Sequence, residues 1–377
     1  MKKGLWLLLF CISVVAQPRQ GVVYESSEGK PLAFASIRCG DTLIFSDIDG
    51  RYALCEPEGP IRVYVPGYKE SKTYTRAGAS VIETYLNPLA TRYGREFAES
   101  KSRTLIAAAI ASKPRTDPQR ALPPHRFKAY NKLVVTANPD SIPGRIDSVF
   151  YFKYSDKKVF RKMDSSDYYF RKYISRQHLF LSEKVSEFKY DGDVLKENIE
   201  GARMGGFSQP VYEIMALRLQ SFSVYGDKFE MARASYNGPL AQDAFENYTY
   251  RLQDSLRISG RKVYAIAFFP KQTKGLSGLL YIDAGTFGVA KATMRFRGVV
   301  DITAEYRFRF LEDRSIWFAE ATELILAKGR YDRPISILGT TLDFEPESST
   351  ADQFSGRAVS RKRRKFASDF IYAKSVS

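Results

Sequence analysis

KVYAIAFFPKQTKGLSGLLYIDAGTFGVAKATMRF, residues 262–296, is the stretch that decides the fold. Three runs rich in Val, Ile, Tyr and Phe are separated by two short turns that contain Gly and Lys, a pattern typical of antiparallel strands. Similar runs lie on both sides, and EYRFRF at 305–310 alternates polar and apolar residues, as in a sheet with one wet face. The pattern predicts a meander with strands at 245–256, 262–270, 278–284, 288–297, 302–312, 315–327 and 335–344.

The chain has 377 residues, of which 14% are aromatic, and a formal net charge of +16. Aromatic residues favour strands, and this length is enough for two domains. The positive charge fits an approach to an anionic surface, such as lipopolysaccharide or phospholipid head groups, but it also fits a solvated basic surface.

The N-terminus predicts export. Lys2 and Lys3 precede an apolar run at 5–16 that is too short to span a bilayer, as in a secretory signal peptide at 1–16. Cys11 follows Phe10 inside that run, which argues against lipidation. We therefore expect a periplasmic or outer-membrane location.

Residues 17–86 alternate short strands with turns, which predicts a seven-stranded β-sandwich. Cys39 and Cys55 are the two cysteines outside the predicted leader. In an oxidising compartment they could form a disulfide that closes a loop of about 17 residues, worth on the order of 3 kcal/mol. The alternative is two free thiols on neighbouring strands. The turn at 47–50, DIDG, predicts a tight hairpin rather than a calcium loop, because Phe45 stands at the first ligand position.

GVVYESSEGKPLAFASIRCGDTLIFSDIDGRYAL, residues 21–54, followed by VYVPGYKE, resembles the carboxypeptidase-regulatory-like domain. This domain is common at the N-termini of outer-membrane proteins of Bacteroidota. The resemblance covers about 70 residues and implies a transthyretin-like accessory sandwich, not a peptidase.

The rest of the chain divides into three parts by composition. Residues 87–124 predict a helical connector, with Ser100 or Ser102 as the N-cap, an apolar stripe that docks on the next domain, and an extended Pro-rich end. Residues 125–346 predict an α+β domain with strands at 127–137, 147–155 and 179–190 and a helix at 209–222. Residues 347–377 predict a basic, disordered tail. The fold class is therefore mainly β with α+β: a sandwich followed by a large antiparallel sheet with a few helices.

The second domain resembles an uncharacterised family of Bacteroidota outer-membrane proteins that carry this sandwich. FKAYNKLVVTANPDSI, HLFLSEKVSEFKY, LQSFSVYGD and YAIAFFPK with LSGLLYID are the segments that carry the resemblance. Family members usually continue into a C-terminal membrane barrel, and we expect this chain to depart from the family in that the barrel is missing. The 262–296 stretch is also similar to periplasmic lipoprotein carriers of the LolA type, which implies an open sheet able to hold acyl chains. A sheet with a filled core is the alternative, with Ala265, Ala267 and Leu280 as candidates for its inward face.

Few residues suggest chemistry. His125 and His178 are the two histidines, and neither lies in a metal-binding or hydrolase motif. We therefore expect no catalytic residues, no cofactor, no metal and no enzyme activity. The basic cluster at 361–365 could bind nucleic acid, but an exported protein would rarely meet any. The sequence favours a non-enzymatic cell-envelope protein with a binding or assembly role at the outer membrane, with outer-membrane components, envelope proteins or lipid as partners. The alternative is a periplasmic lipid or lipoprotein carrier.

Overall fold

The computed structural model describes residues 20–53, 60–74, 81–90, 93–135, 150–153, 157–160, 180–191, 194–206, 224–231, 234–272, 275–296, 301–327 and 335–346. The chain forms two compact units, Met1–Arg92 and Tyr93–Ser377. The predicted leader and the predicted tail at 347–377 lie outside the described residues.

The first unit is a β-sandwich. Its strands form a three-stranded sheet, β4-β1-β7, and a four-stranded sheet, β3-β2-β5-β6. The bounds are β1 Gln20–Glu25, β2 Ser36–Cys39, β3 Thr42–Phe45, β4 Arg51–Ala53, β5 Pro60–Tyr64, β6 Ser71–Tyr74 and β7 Val81–Leu86. Side chains of both sheets meet in one core, which includes Val23 of β1, Ile37 of β2 and Val63 of β5. The predicted seven-stranded sandwich is therefore confirmed.

The turn before β4 is the predicted hairpin. The carboxylate of Asp47 accepts hydrogen bonds from the backbone N–H groups of Asp49 and Arg51, each at 2.8 Å. Gly50 has φ +72°, and a Cβ at this position would stand 2.6 Å from the carbonyl oxygen of Val23. Asp47 thus binds its own turn, and glycine is required at its end because a side chain would collide with the neighbouring strand.

Cys39 ends β2 beside the sandwich core and is disulfide-bonded. Its partner lies outside the described residues, so the pairing with Cys55 stays a prediction. The chain without the predicted leader, and therefore without Cys11, is expected to show no free thiol when it is denatured without reductant, because Cys39 and Cys55 would both be oxidised. Two thiols per chain in a titration would contradict the disulfide.

The second unit is built on one sheet of ten strands, in the order β12-β11-β8-β21-β20-β19-β18-β17-β16-β15, with every neighbouring pair antiparallel. Its strands are β8 His125–Val135, β11 Phe180–Asp191, β12 Val194–Gly206, β15 Tyr248–Ile258, β16 Arg261–Pro270, β17 Leu276–Asp283, β18 Val289–Phe296, β19 Asp301–Leu311, β20 Ile316–Ala327 and β21 Ile335–Pro346. Two separate hairpins are β9 Phe150–Lys153 with β10 Lys157–Phe160, and β13 Lys228–Met231 with β14 Ala234–Asn237. The predicted fold class and meander are confirmed, and the strand ends differ from the prediction by a few residues.

Three helices are described in this unit: α1 Tyr93–Thr116, α2 Pro118–Ala121 and α3 Ala244–Asn247. The predicted helix at 209–222 lies outside the described residues. One face of α1 is buried at helical spacing, with Ala98, Ser102, Leu105, Ile106, Ala109, Ile110, Lys113 and Thr116. The helix packs against β15, as the docking prediction required.

The N-cap prediction for α1 was wrong. The helix begins at Tyr93, several residues before Ser100 and Ser102. The hydroxyl of Ser102 donates to the carbonyl oxygen of Glu99 at 2.7 Å, so it binds the preceding turn of the same helix. Serine can form this bond inside a helix as well as cap its start, and the sequence pattern does not distinguish the two.

Candidate ligand-binding site on the central sheet

The strands β16–β20 carry a face that we call the helix-side face. Ile266, Leu280, Ala292, Tyr306 and Thr322 lie side by side in register across these five strands and are all buried. The guanidinium of Arg103 on α1 lies 4.8 Å from the ring centroid of Phe245, which packs against Tyr250 of β15 at 5.5 Å. Tyr250 is paired with Phe268, whose side chain lies on the helix-side face. Because α1 packs against β15, it covers the helix-side face at this end of the sheet.

The opposite face of β16–β19, which we call the second face, holds two further rows in register. One row is Ala265, Tyr281, Lys291 and Arg307, and the other is Ala267, Leu279, Thr293 and Glu305. Ala265 and Ala267 therefore point away from Leu280, and the expectation that these three share an inward face was wrong. Residues opposite one another in an antiparallel pair share a face, whereas sequence neighbours alternate.

The second face changes from apolar to charged along the strand order. Leu279 is 3% exposed, and the side chain of Arg307, two strands away, is 53% exposed. Lys291 stands between them: its ammonium lies 5.7 Å from the ring centroid of Tyr281 and 3.2 Å from a carboxylate oxygen of Glu305. Burial, together with the charge of Glu305, raises the pKa of Tyr281 above its ordinary value. The second face thus joins a buried apolar centre to a cation.

At the end of β17, the carboxylate of Asp283 is buried and saturated with donors. Arg261 donates to both of its oxygens at 2.6 and 3.2 Å, and the indole N–H of Trp317 donates at 3.2 Å. The backbone N–H groups of Gly285 and Thr286 donate at 2.7 and 2.8 Å. Burial by itself raises the pKa of Asp283, but the hydrogen bonds and the charge of Arg261 outweigh it and hold the pKa below its ordinary value. A carboxylate with five donors is a structural clamp between strands rather than a free base.

The C-terminal end of α1 is tied to the chain that follows β12. The buried ammonium of Lys113 donates to the carboxylate of Asp227 at 2.7 Å and to the carbonyl oxygen of Leu240 at 3.1 Å. The hydroxyl of Tyr225 accepts from the backbone N–H of Val289 at 2.8 Å, and burial raises its pKa. These bonds connect Asp227 and Leu240 to α1, and Tyr225 to the start of β18.

His125 lies in an aromatic cluster. Its ring centroid is 5.3 Å from that of Tyr190, 5.8 Å from Phe318 and 6.2 Å from Phe127, and Nδ1 lies 2.8 Å from the carbonyl oxygen of Pro123. These contacts place His125 in the packing of the sheet. His178 is outside the described residues. Among the residues that the structure describes, no group of three His, Cys, Asp or Glu side chains is placed to hold a metal ion.

Sequence reasoning missed the residues that make the second face distinctive. Tyr281 and Lys291 were read only as parts of strands, because their apposition depends on the pairing of β17 with β18. A partial signal was present: Lys291 interrupts the apolar run VAKATM and shares the less buried phase of the strand with Thr293 and Arg295.

The fold and the second face define a β-rich protein with a sandwich unit followed by a helix-covered antiparallel sheet. The chain belongs to a family of unknown function, DUF5686, whose model matches residues 112–342. The match begins in α1 and ends in β21, so it covers most of the sheet unit. No curated protein matches the sequence.

Several solved structures are similar to about two thirds of the chain at low scores. A domain described as an outer membrane lipoprotein-sorting protein, from Vibrio parahaemolyticus, has 10% identity and a TM-score of 0.28, covering 67% of this chain and 95% of its own. A DUF1329 family protein from Desulfovibrio piger has 9% identity and a TM-score of 0.28, covering 68% and 98%. A LolA superfamily protein from Nitrosomonas europaea has 11% identity and a TM-score of 0.26, covering 67% and 97%. Scores this low carry no inference about activity. In the part of the chain that the structure describes, no helix is long and apolar enough to cross a membrane.

Proposed function

We propose that this protein is a non-enzymatic, exported cell-envelope protein that binds a ligand or partner on the second face of its sheet, in a binding or assembly role at the outer membrane. One observation carries the proposal: the apolar pair Ala265 and Tyr281 continues directly into the cations Lys291 and Arg307 on the next two strands. A buried apolar row that ends in more exposed cations suits an amphipathic, acidic ligand or an acidic segment of an envelope protein.

The leader and the first unit support the location. The sequence of residues 1–16 has the charge and length of a signal peptide, and the first unit has the seven strands that the resemblance to the transthyretin-like accessory domain implies. We infer an origin in Bacteroidota from that same resemblance. The domain limits 17–86, 87–124 and 125–346 are part of this proposal, and no cofactor is assigned to any of them.

A periplasmic lipid or lipoprotein carrier is the second candidate. The gradient of burial supports it: an acyl chain would displace the protein atoms that bury Leu279 and Tyr281, and Lys291, at the more exposed end, would bind the acidic head group. A single cation near a lipid phosphate contributes about 1 kcal/mol, or roughly fivefold in affinity.

Lipid analysis of the purified protein tests the carrier. Native mass spectrometry and solvent extraction of the full chain are expected to find an acidic lipid in near-stoichiometric amount, and Lys291→Gln should retain roughly fivefold less. Lys262→Gln is the matched control, because Lys262 also lies over a tyrosine ring, that of Tyr264 at 5.2 Å, but on an exposed position of β16. A wild-type protein without lipid would exclude the carrier and leave an envelope protein as the partner.

Cell fractionation tests the broader proposal. The full chain is expected in the envelope fraction, and high salt should release it if it is held by partners rather than inserted in the membrane. Recovery of an uncleaved chain in the cytoplasm would overturn both candidate functions.

A further inference from the structure

The outer surface of the four-stranded sheet in the first unit carries an unusual row of cations. Ile37 and Val63 point into the sandwich core, so the residues next to them in each strand point outward. Arg38 of β2 lies opposite Arg62 of β5, and Arg62 lies opposite Lys72 of β6. All three are exposed. We call these three residues the basic row.

Like charges at directly opposed positions of a sheet repel one another, because their Cβ atoms stand only about 5 Å apart. The fourth member of the row is Leu43 of β3, opposite Arg38, so no acidic residue lies between the cations in register. The acidic residues Asp41 and Glu70 lie in the turns at the ends of the strands. The repulsion between Arg62 and Lys72, which face one another across β5 and β6, would be relieved by an anionic partner.

Apolar and aromatic side chains flank the basic row. Phe45, Ser36 and Tyr64 form the adjacent row on the same surface, and Tyr64 is 39% exposed. A tyrosine beside cations is the combination found at bilayer interfaces, where the ring enters the head-group layer and the cations meet the phosphates.

The outer surface of the other sheet is different. There Val22 of β1 has Arg51 of β4 on one side and Glu83 of β7 on the other, so base and acid flank the same apolar residue. Cations that face one another with no acidic residue between them are therefore found on the outer surface of the four-stranded sheet, whereas the three-stranded sheet pairs both signs of charge.

We propose that the basic row and Tyr64 form a docking surface for an anionic lipid bilayer. The row would contact lipid phosphates, and Tyr64 would insert its ring among the head groups. This surface belongs to the first unit, so the proposal is independent of what the second face of the sheet unit binds.

Co-sedimentation of the full chain with lipid vesicles tests the proposal. Binding to phosphatidylglycerol vesicles is expected, with far less binding to phosphatidylcholine vesicles and a steep loss as ionic strength rises. The variant Arg62→Gln/Lys72→Gln should bind phosphatidylglycerol vesicles about 30-fold more weakly, since each cation near an anionic surface contributes about a fivefold factor.

Arg51→Gln/Lys30→Gln is the matched control, because it removes the same charge from exposed positions outside the row. It should bind like the wild type. Arg62→Lys keeps the charge and should retain binding, and equal thermal unfolding temperatures would show that each variant is folded. An equal loss of vesicle binding in both double variants would show that binding depends only on the net charge of the protein, and it would overturn the proposal. So would a wild type that does not bind phosphatidylglycerol vesicles, or one that is displaced from them by inorganic phosphate.

Discussion

Asp283→Ala is expected to lower the free energy of unfolding by about 3–5 kcal/mol, because it leaves a partly buried guanidinium and an indole N–H without their acceptor. Asp283 is fully buried, and Arg261 and Trp317 both donate to it from other strands of the sheet. The substitution also frees two backbone N–H groups in the turn that follows β17. Urea unfolding followed by circular dichroism and tryptophan fluorescence measures the change.

A surface carboxylate is the control for this experiment. Asp313 pairs with Arg314 at 3.3 Å, and its side chain is 71% exposed, so Asp313→Ala should change stability by less than about 1 kcal/mol. A double-mutant cycle with Arg261→Ala should show strong coupling, since the second substitution removes the charge that the first leaves unpaired. Additive losses in the cycle would contradict the clamp.

The same carboxylate predicts a dependence of stability on pH. The folded pKa of Asp283 lies below its ordinary value of 3.8. Its contribution is therefore fully present above the unfolded pKa and is lost as pH falls through the folded pKa. Asp283→Asn should remove this acid-sensitive part of the stability, so the difference between wild type and variant should narrow below about pH 4. A constant difference from neutral to acidic pH would show that Asp283 does not act through its charge.

Gly278→Val is expected to destabilise the sheet unit by more than about 3 kcal/mol, although valine favours strands and glycine does not. A Cβ on Gly278 would overlap the carbonyl oxygen of Thr293 in β18 and would stand 3.0 Å from the ring of Phe268 in β16. The carbonyl group of Thr293 belongs to the ladder and cannot move without disturbing hydrogen bonds of the sheet, and the ring of Phe268 is fully buried and has little room to shift. Thermal and urea unfolding measure the loss.

Gly201→Val in β12 is the matched control. Gly201 is exposed, and nothing lies within 4 Å of the Cβ that it would gain. The substitution should be neutral or slightly stabilising, because the intrinsic preference of valine for strands then acts alone. Equal effects at Gly201 and Gly278 would mean that the close approach of Phe268 and Thr293 is not what excludes a side chain.

Much of the architecture could be predicted because strands and turns are local features. The alternation at 305–310 and the turns around 262–296 predicted β16–β20 within a few residues. Strand β12 and the hairpins β9–β10 and β13–β14 were missed or only partly read, since Val194–Gly206 contains four charged residues and three glycines and lacks a clear alternation. The predicted start of α1 was wrong for a local reason as well, because a serine hydroxyl can either cap the start of a helix or bind the preceding turn inside it.

The sequence by itself determined the β-rich class, the sandwich followed by a meander, and the burial of one face of α1, because each follows from a period of two or of about 3.6 residues. Only the tertiary structure decided which residues share a face. Register shifts at Leu252/Asp254 and Tyr281/Ile282 change which residues of neighbouring strands share a face, and no local sequence pattern predicts these shifts. The tertiary structure also decided that Asp283 meets donors from β16 and β20, and that Arg38, Arg62 and Lys72 stand in one row. Both outcomes depend on strand pairing between residues far apart in the chain, which short-range periodicity does not encode.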